Sequence, residues 1–420
     1  MGIRDPARYL GECGFQDALE RCPTRPLHKT ARILSARNLP AHDRGLLRGA
    51  SLSWHFPRWT PRTGTNAALC PIGACPLKTR SLTLLDLRKE CSEPTLKVIV
   101  KKSTWPSWHC PGHRKPLEDK GDVLLCPDGD QFPSRNRIPR FVTNGNYADA
   151  FGPEAKRYRL TQLDSYSGTT ITRDRARQCV GEELWSQLSG KQVLEAGCGA
   201  GRFTEILLGR GACVTSIDIT KAVDSNQENF LRSESHRVAQ ADIEHLPFAP
   251  QGFDIVFCLG VIQNTSSPEK SVSCLYEQVR PGGTLIIDHS THSLSWYSKT
   301  APLFRRLFRR LPPEESIKWT EKIVDLLLPL HKMVRNFHSA QMLLSRVSPV
   351  VCYYRAFPEL NDQLQREWAL LDTHQSLTAW YRHARTRGRI RRMLEQLGLQ
   401  EIWCEYGGNG VEARGKRPLS

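Results

Sequence analysis

The stretch VLEAGCGAGRFTEIL, residues 193–207, decides how the rest of the chain is read. Glycines stand at alternate positions, Gly197, Gly199 and Gly201, between an apolar run of strand character and a segment of helix character. A glycine-rich turn from strand into helix clears side chains where backbone N–H groups and the positive helix end can meet a polar ligand. The spacing sets aside two phosphate signatures. In G-x-G-x-x-G the third glycine falls three residues after the second, and that place is Arg202; the P-loop lysine with its Ser/Thr neighbour is missing as well. The pattern is E-x-G-x-G-x-G, led by Glu195.

Outward from this turn, strand and helix patterns alternate. QVLEA (192–196), CVTSIDI (213–219), RVAQAD (237–242), FDIVFCLGV (253–261) and GTLIIDH (283–289) read as strands. GRFTEILLGRG, KAVDSNQENFLRS and PEKSVSCLYEQV, the last with proline at its start, read as helices. Near-continuous apolar strands separated by helices predict a parallel sheet covered on both faces, with ligands at the carboxyl ends of the strands. A helix, GRIRRMLEQLG, and the strands LQEIWCEY and GVEARGKR then complete a seven-stranded α/β sheet.

In these features residues 190–290, and less closely the C-terminal strands, resemble the class I S-adenosylmethionine-dependent methyltransferases, whose fold is a Rossmann-like sheet with helices on both faces. Glu195, Gly197, Gly199 and Gly201 match the family's first motif. The resemblance implies that this loop lies against the methionine and ribose parts of the cofactor, with Glu195 at the ammonium end. It makes Asp218, which ends SID, the acid for the ribose hydroxyls; a carboxylate can accept two parallel hydrogen bonds from a vicinal diol. By the same resemblance Asp242 lies near the adenine amino group, Ile219 and Ile243 sandwich the ring, and Leu259 at the fourth-strand exit completes the set.

Methyl transfer from a sulfonium mainly needs alignment, and a base only where the acceptor is not already nucleophilic. His289 and Asp288 at the end of the fifth strand, and His292 beyond them, point to the acceptor side, against the alternative that each merely lines or supports it. Related bacterial enzymes often carry His in the fourth motif where this chain has Asn264.

Two segments flank the core. Residues 105–142 contain Cys110-x2-His113 and, after a hairpin-like stretch, Cys126-x3-Asp130. Two ligand pairs on tight turns match a small zinc ribbon; the alternative is a metal-free hairpin. A knuckle pair ahead of a methyltransferase domain is similar to guanine ring-nitrogen methyltransferases of ribosomal RNA. IPRFV also looks like the zinc-ribbon segments of bacterial enzymes acting on small molecules, so this module does not choose a substrate. Residues 146–420 form the main domain, with helical segments before the first strand and an insertion, 293–385, read as a lid over a buried acceptor. Trp296, Tyr297, Trp319, Tyr353, Tyr354, Trp368 and Trp380 are available there to line a pocket or fill a core. LFRRLFRRL is amphipathic and basic, and reads as a helix packed on the domain with its arginines in water rather than as a membrane or RNA contact.

The chain has 420 residues, 39% hydrophobic and 24% charged, with no apolar run near the roughly 18 residues that cross a bilayer. It begins without the basic, apolar and small-residue succession of a secretory signal, so the expectation is a cytoplasmic protein with mostly reduced thiols. Of the net charge of +16, half lies in residues 1–100, with 16 Lys+Arg against 8 Asp+Glu. That region has no sustained periodicity and reads as a poorly ordered basic extension; Cys70 and Cys75 are too isolated to argue a metal, and only 81–87 and 96–100 can order locally. The first functional reading is methyl transfer to a small molecule. RNA base methylation, supported by the charge and the arginine clusters at 305–310 and 386–392, is the second, and a non-catalytic cofactor-binding partner the third.

Overall fold

The computed structural model describes residues 105–142, 145–291 and 300–419, all within the compact unit Thr95–Ser420. The expectations for residues 1–100, with Cys70 and Cys75, and those for His292, Trp296 and Tyr297 lie outside the described residues.

The first described segment is a four-stranded antiparallel sheet, β1 (Glu118–Asp119), β2 (Val123–Leu125), β3 (Gln131–Arg135) and β4 (Ile138–Pro139), in sequential order. It sits against the edge of the main sheet. Trp108 stacks on Phe248 at 5.2 Å, and the Arg237 guanidinium lies 4.2 Å over the Trp108 ring. Phe141 donates its N–H to the Gln240 carbonyl at 2.8 Å, and Arg140 pairs with Asp224. These contacts cover what would be an open strand edge.

Four short helices follow: α1 (Phe151–Arg157), α2 (Asp164–Ser167), α3 (Ile171–Val180) and α4 (Glu182–Ser186). Then come β5 (Gln192–Ala196), α5 (Arg202–Gly209), β6 (Cys213–Asp218), α6 (Ala222–Asn229), β7 (His236–Gln240), β8 (Phe253–Cys258), α7 (Pro268–Gln278) and β9 (Val279–His289). The order in the sheet is β10-β11-β9-β8-β5-β6-β7, where β10 is Gln400–Gly407 and β11 is Gly410–Lys416. β5 to β9 pair in parallel, and β11 runs antiparallel to β9. Alternation explains the two cores: Leu194, Ile217 and Val256 face one layer of helices, while Val193, Val214 and Ile255 face the other. The chain winds one way from β5 and the other way from β8, so the switch point opens between them, beside the glycine turn.

The insertion folds as α8 (Ala301–Phe308), α9 (Pro313–Val334), α10 (His338–Val347) and α11 (Asp362–Thr378), followed by α12 (Arg387–Gln396). Side chains close the helix starts where the sequence offers them: Ser267 accepts from the Lys270 N–H, Asn361 from Leu364 and Thr386 from Arg389. The described cysteines are all free thiols.

Candidate functional site

The three glycines serve three purposes. Gly197 has φ 77°, and a Cβ there would stand 2.2 Å from the Val261 side chain. Gly201, at φ 106°, is pressed by the Phe230 ring, 2.3 Å from where a Cβ would be. Gly199, at φ 52°, has open space where a Cβ would point, and it lines a cavity of about 440 Å³ at the carboxyl edge of the sheet. Gly197 shares that wall, whereas Gly201 is not on it. At Gly201 the loop packs closely on α6 and Phe230, which is what the absent side chain permits there.

Glu195 lies behind the loop. Its side chain is buried between α5 and β6, where Oε2 accepts from the Thr204 hydroxyl at 2.5 Å and the Ser216 hydroxyl at 2.9 Å. Burial pushes its carboxyl up to about 7, against the pull of those hydroxyls. It holds the loop from behind and does not line the cavity.

The other predicted cofactor residues converge on the cavity: Asp218, Ile219, Asp242, Ile243 and Leu259 all line it. Asp218 is oriented by three donors. Its Oδ1 accepts from the Thr220 N–H and hydroxyl at 2.8 and 2.7 Å, and its Oδ2 from the Gly199 N–H at 2.9 Å. Oδ2 accepts one bond only, so it keeps acceptor capacity. Burial raises the Asp218 carboxyl above its ordinary value. Asp242 accepts from the Glu244 N–H at 2.9 Å and faces the His245 ring at 3.0 Å.

Of the proposed acceptor-side groups among the described residues, Asn264 alone lines the cavity. Asp288 is fully buried, ion-paired to Arg175, and accepts from the Gly260 N–H at 2.6 Å. His289 is also fully buried; its Nδ1 lies 2.8 Å from the Ser290 carbonyl, and burial lowers its pKa to about 4. Neither lines the cavity. Both stand at the end of β9, paired with Glu412 and Val411 of β11, which closes that flank.

The far wall of the cavity comes from residues the sequence did not single out. Arg202, which stands where the dinucleotide fingerprint would have glycine, donates from Nε to Thr172 at 3.1 Å and lies 5.0 Å over the Trp368 ring. Burial, with the like charge of Arg175, lowers it to about 10, still a cation at neutral pH. Asp372 on α11 accepts from the Tyr353 hydroxyl, and burial pushes its carboxyl up to about 6. Gln263, beside Asn264, leaves its Oε1 buried without a partner. Tyr353 is thus a lining aromatic, as the sequence allows; Trp368 is packed in a core, and Trp319 and Trp380 are exposed. No periodic signal marks Asp372 or Gln263, since both depend on contacts between distant segments.

The four predicted metal ligands come together. The Cys110 and Cys126 sulfurs each lie 3.6 Å from His113 Nδ1, Asp130 Oδ2 lies 3.1 Å from that nitrogen and 3.0 Å from the Cys110 sulfur, and all four ligand atoms fall within 4.8 Å of one another. Tetrahedral ligands at zinc bond lengths stand about 3.5 Å apart, so the donor set fits.

Residues 194–287 match a family described as methyltransferase domain. The chain is similar to the ubiquinone biosynthesis O-methyltransferase of Coxiella burnetii (strain Dugway 5J108-111), 27% identical over 147 residues, or 32% of this chain and 63% of that protein. It is similar to the protein of the same name from Pseudomonas putida (strain GB-1), 35% identical over 104 residues, 23% of this chain and 44% of that one. The chain thus spans less than two thirds of the length of these relatives. Among solved structures, magnesium protoporphyrin IX methyltransferase from Synechocystis PCC 6803 with bound SAH aligns with 64% of this chain and 96% of that one, at 14% identity and a TM-score of 0.36. Residues 194–287 are the part of this chain that carries a methyltransferase domain.

Proposed function

We propose that the chain transfers a methyl group from S-adenosylmethionine to a small-molecule acceptor held between the sheet and the helical insertion. The observation that carries this reading is the continuity of one cavity, walled by Gly199, Asp218 and Asp242 on the sheet side and by Tyr353 and Asp372 on the insertion side. The cofactor, when bound, supplies an electrophilic methyl on a neutral leaving group. In this reading Asp218 accepts the ribose hydroxyls, Ile219 and Ile243 form the apolar slot for the adenine, and Gly199 lets the backbone approach. The insertion excludes water and orients the acceptor. Where the acceptor is a hydroxyl, this reading has Asp372, on the cavity wall, take its proton and Asn264 orient it; that both line the cavity supports it.

Two observations favour a small molecule over RNA. The names of the relatives describe ubiquinone biosynthesis O-methyltransferases. The arginine clusters are also committed in part: Arg389 pairs with Glu269, Arg387 with Glu405, and Arg305 donates to the Ser376 and Ala379 carbonyls, while Arg306 and Arg310 stay exposed on the outer face, away from the cavity lining. We further infer that Cys110, His113, Cys126 and Asp130 hold one structural zinc ion.

The test is calorimetric titration of S-adenosylhomocysteine, together with methyl transfer from labelled S-adenosylmethionine across a panel of small hydroxylated acceptors. Asp218→Ala should weaken product binding by about 2 kcal/mol or more, since it removes one side of a buried charged hydrogen bond. Unchanged affinity would take Asp218 out of the site.

A further inference from the structure

The insertion presents an outer surface that methyl transfer does not use. α9 is apolar on two faces. Ile317, Val324 and Leu328 are buried against the domain, while Trp319, Leu326, Leu330 and Met333 recur at helical spacing on the solvent side. A helix apolar on two faces ordinarily has both covered. α8 packs on the domain through Ala301 and Phe308 and keeps Arg306, Arg309 and Arg310 in water, as the sequence predicts, but Arg305 turns inward, and Leu303 and Leu307, one turn apart, are 75% and 59% exposed. The Thr300 hydroxyl donates to the Val347 carbonyl at 2.7 Å, tying the start of α8 to the end of α10, where Leu343 and Val347 are exposed. Phe337, between α9 and α10, is 68% exposed.

Ten of the fifteen exposed large apolar residues among the described residues fall between Leu303 and Val347, so they concentrate in this insertion and are not spread evenly along the chain. Its charge is net basic: α9 carries Glu314, Glu315, Glu321 and Asp325 against Lys318, Lys322 and Lys332, and the positive excess comes from its neighbours. α8 and α10 contain no acid, and Arg306, Arg310 and Arg346 are exposed with no carboxylate partner among the described residues. Among the described residues no helix is long and apolar enough to cross a membrane.

We propose that the outer face of α8, α9 and α10 docks on an anionic lipid bilayer, with the leucine, methionine and phenylalanine side chains in the headgroup boundary and the arginines on lipid phosphates. Surface-lying helices need this combination, an apolar face bordered by cations. A second copy of the chain would bring the same unpaired arginines face to face across a two-fold axis. The inference is independent of the methyl-transfer reading.

The test is flotation of the full chain with phosphatidylcholine vesicles, with and without phosphatidylglycerol. The expected result is binding to the phosphatidylglycerol vesicles that weakens with salt, and a fall of about tenfold or more in Leu326→Ser/Leu330→Ser/Met333→Ser, whose positions are exposed and so spare the fold. Arg306→Gln/Arg310→Gln should reduce binding to anionic vesicles and leave the weak binding to neutral ones unchanged. No binding to either vesicle overturns the proposal, as does equal binding by the triple serine variant. Sedimentation showing a dimer that the serine changes dissociate, with vesicles unbound, overturns it in favour of self-association. Product titration on the same samples confirms folding of the variants, and its failure in the parent chain bears on the methyltransferase reading alone.

Discussion

Gly199 and Gly201 stand two residues apart in the same motif and do opposite work. Gly201→Ala places a methyl against Phe230 and strains a φ of 106°, so it should destabilise the fold by about 2 to 4 kcal/mol. Gly199→Ala meets open space and should cost only about 1 kcal/mol of stability, from its left-handed φ. It should weaken product binding more than it weakens the fold. Urea denaturation and product titration on both variants separate the two, and equal loss of stability would contradict the division. Glu195 makes a second residue-level prediction. Its folded carboxyl titrates at about 7, above the ordinary value, so the stability it contributes is full below the unfolded pKa and is lost as pH rises through about 7. The span is on the order of 3 kcal/mol. Glu195→Gln should abolish that decline, giving a denaturation midpoint above the parent's at about pH 8 and similar to it near pH 4. Parallel pH curves for the two proteins would refute the buried, high-pKa carboxyl.

At the level of elements, the core strands were readable because both faces are buried, which leaves uninterrupted apolar runs such as Val193–Leu194 and Ile255–Val256–Phe257. The acids Asp218 and Asp242 follow from their places at strand ends. The insertion was readable only as helical, because its arrangement depends on joints between residues far apart in the chain. One such joint links three helices: Glu154 on α1 pairs with His374 on α11, whose Nε2 lies 2.9 Å from the Ser316 hydroxyl on α9, all buried. Asp288 shows the converse. Its sequence position suits an acceptor-side acid, but Arg175, over a hundred residues earlier, claims it. Removing one partner of a buried hydrogen bond costs about 1 to 3 kcal/mol because the other is left unsatisfied. His374→Ala should therefore loosen α9 and α11 selectively, and hydrogen exchange should quicken there while β5 and β8 keep their protection. Unchanged exchange in both helices would show that the joint does not hold the insertion.

Across the whole molecule, the N-terminal ribbon and the sheet have a shared boundary that separate motifs did not foretell. The segment reads as its own module, yet β4 lies beside β7, Arg140 bridges to Asp224, and Trp108 is packed between Phe248 and Arg237. A metal held by Cys110 and Cys126 would thus fix the segment that covers the sheet edge. If zinc binds the native chain and not the unfolded one, its removal subtracts binding free energy from the stability of every element that unfolds together with the ribbon. Elemental analysis of the purified chain should find about one zinc per molecule. Calorimetry should show a single transition for residues 105–419 that moves to lower temperature as a whole on chelation, and Cys126→Ser should reproduce the shift without chelator. A small metal-sensitive transition well separated from an unmoved main one would mean that the ribbon folds alone, and that the Trp108 and Arg140 contacts contribute little to joining it to the sheet.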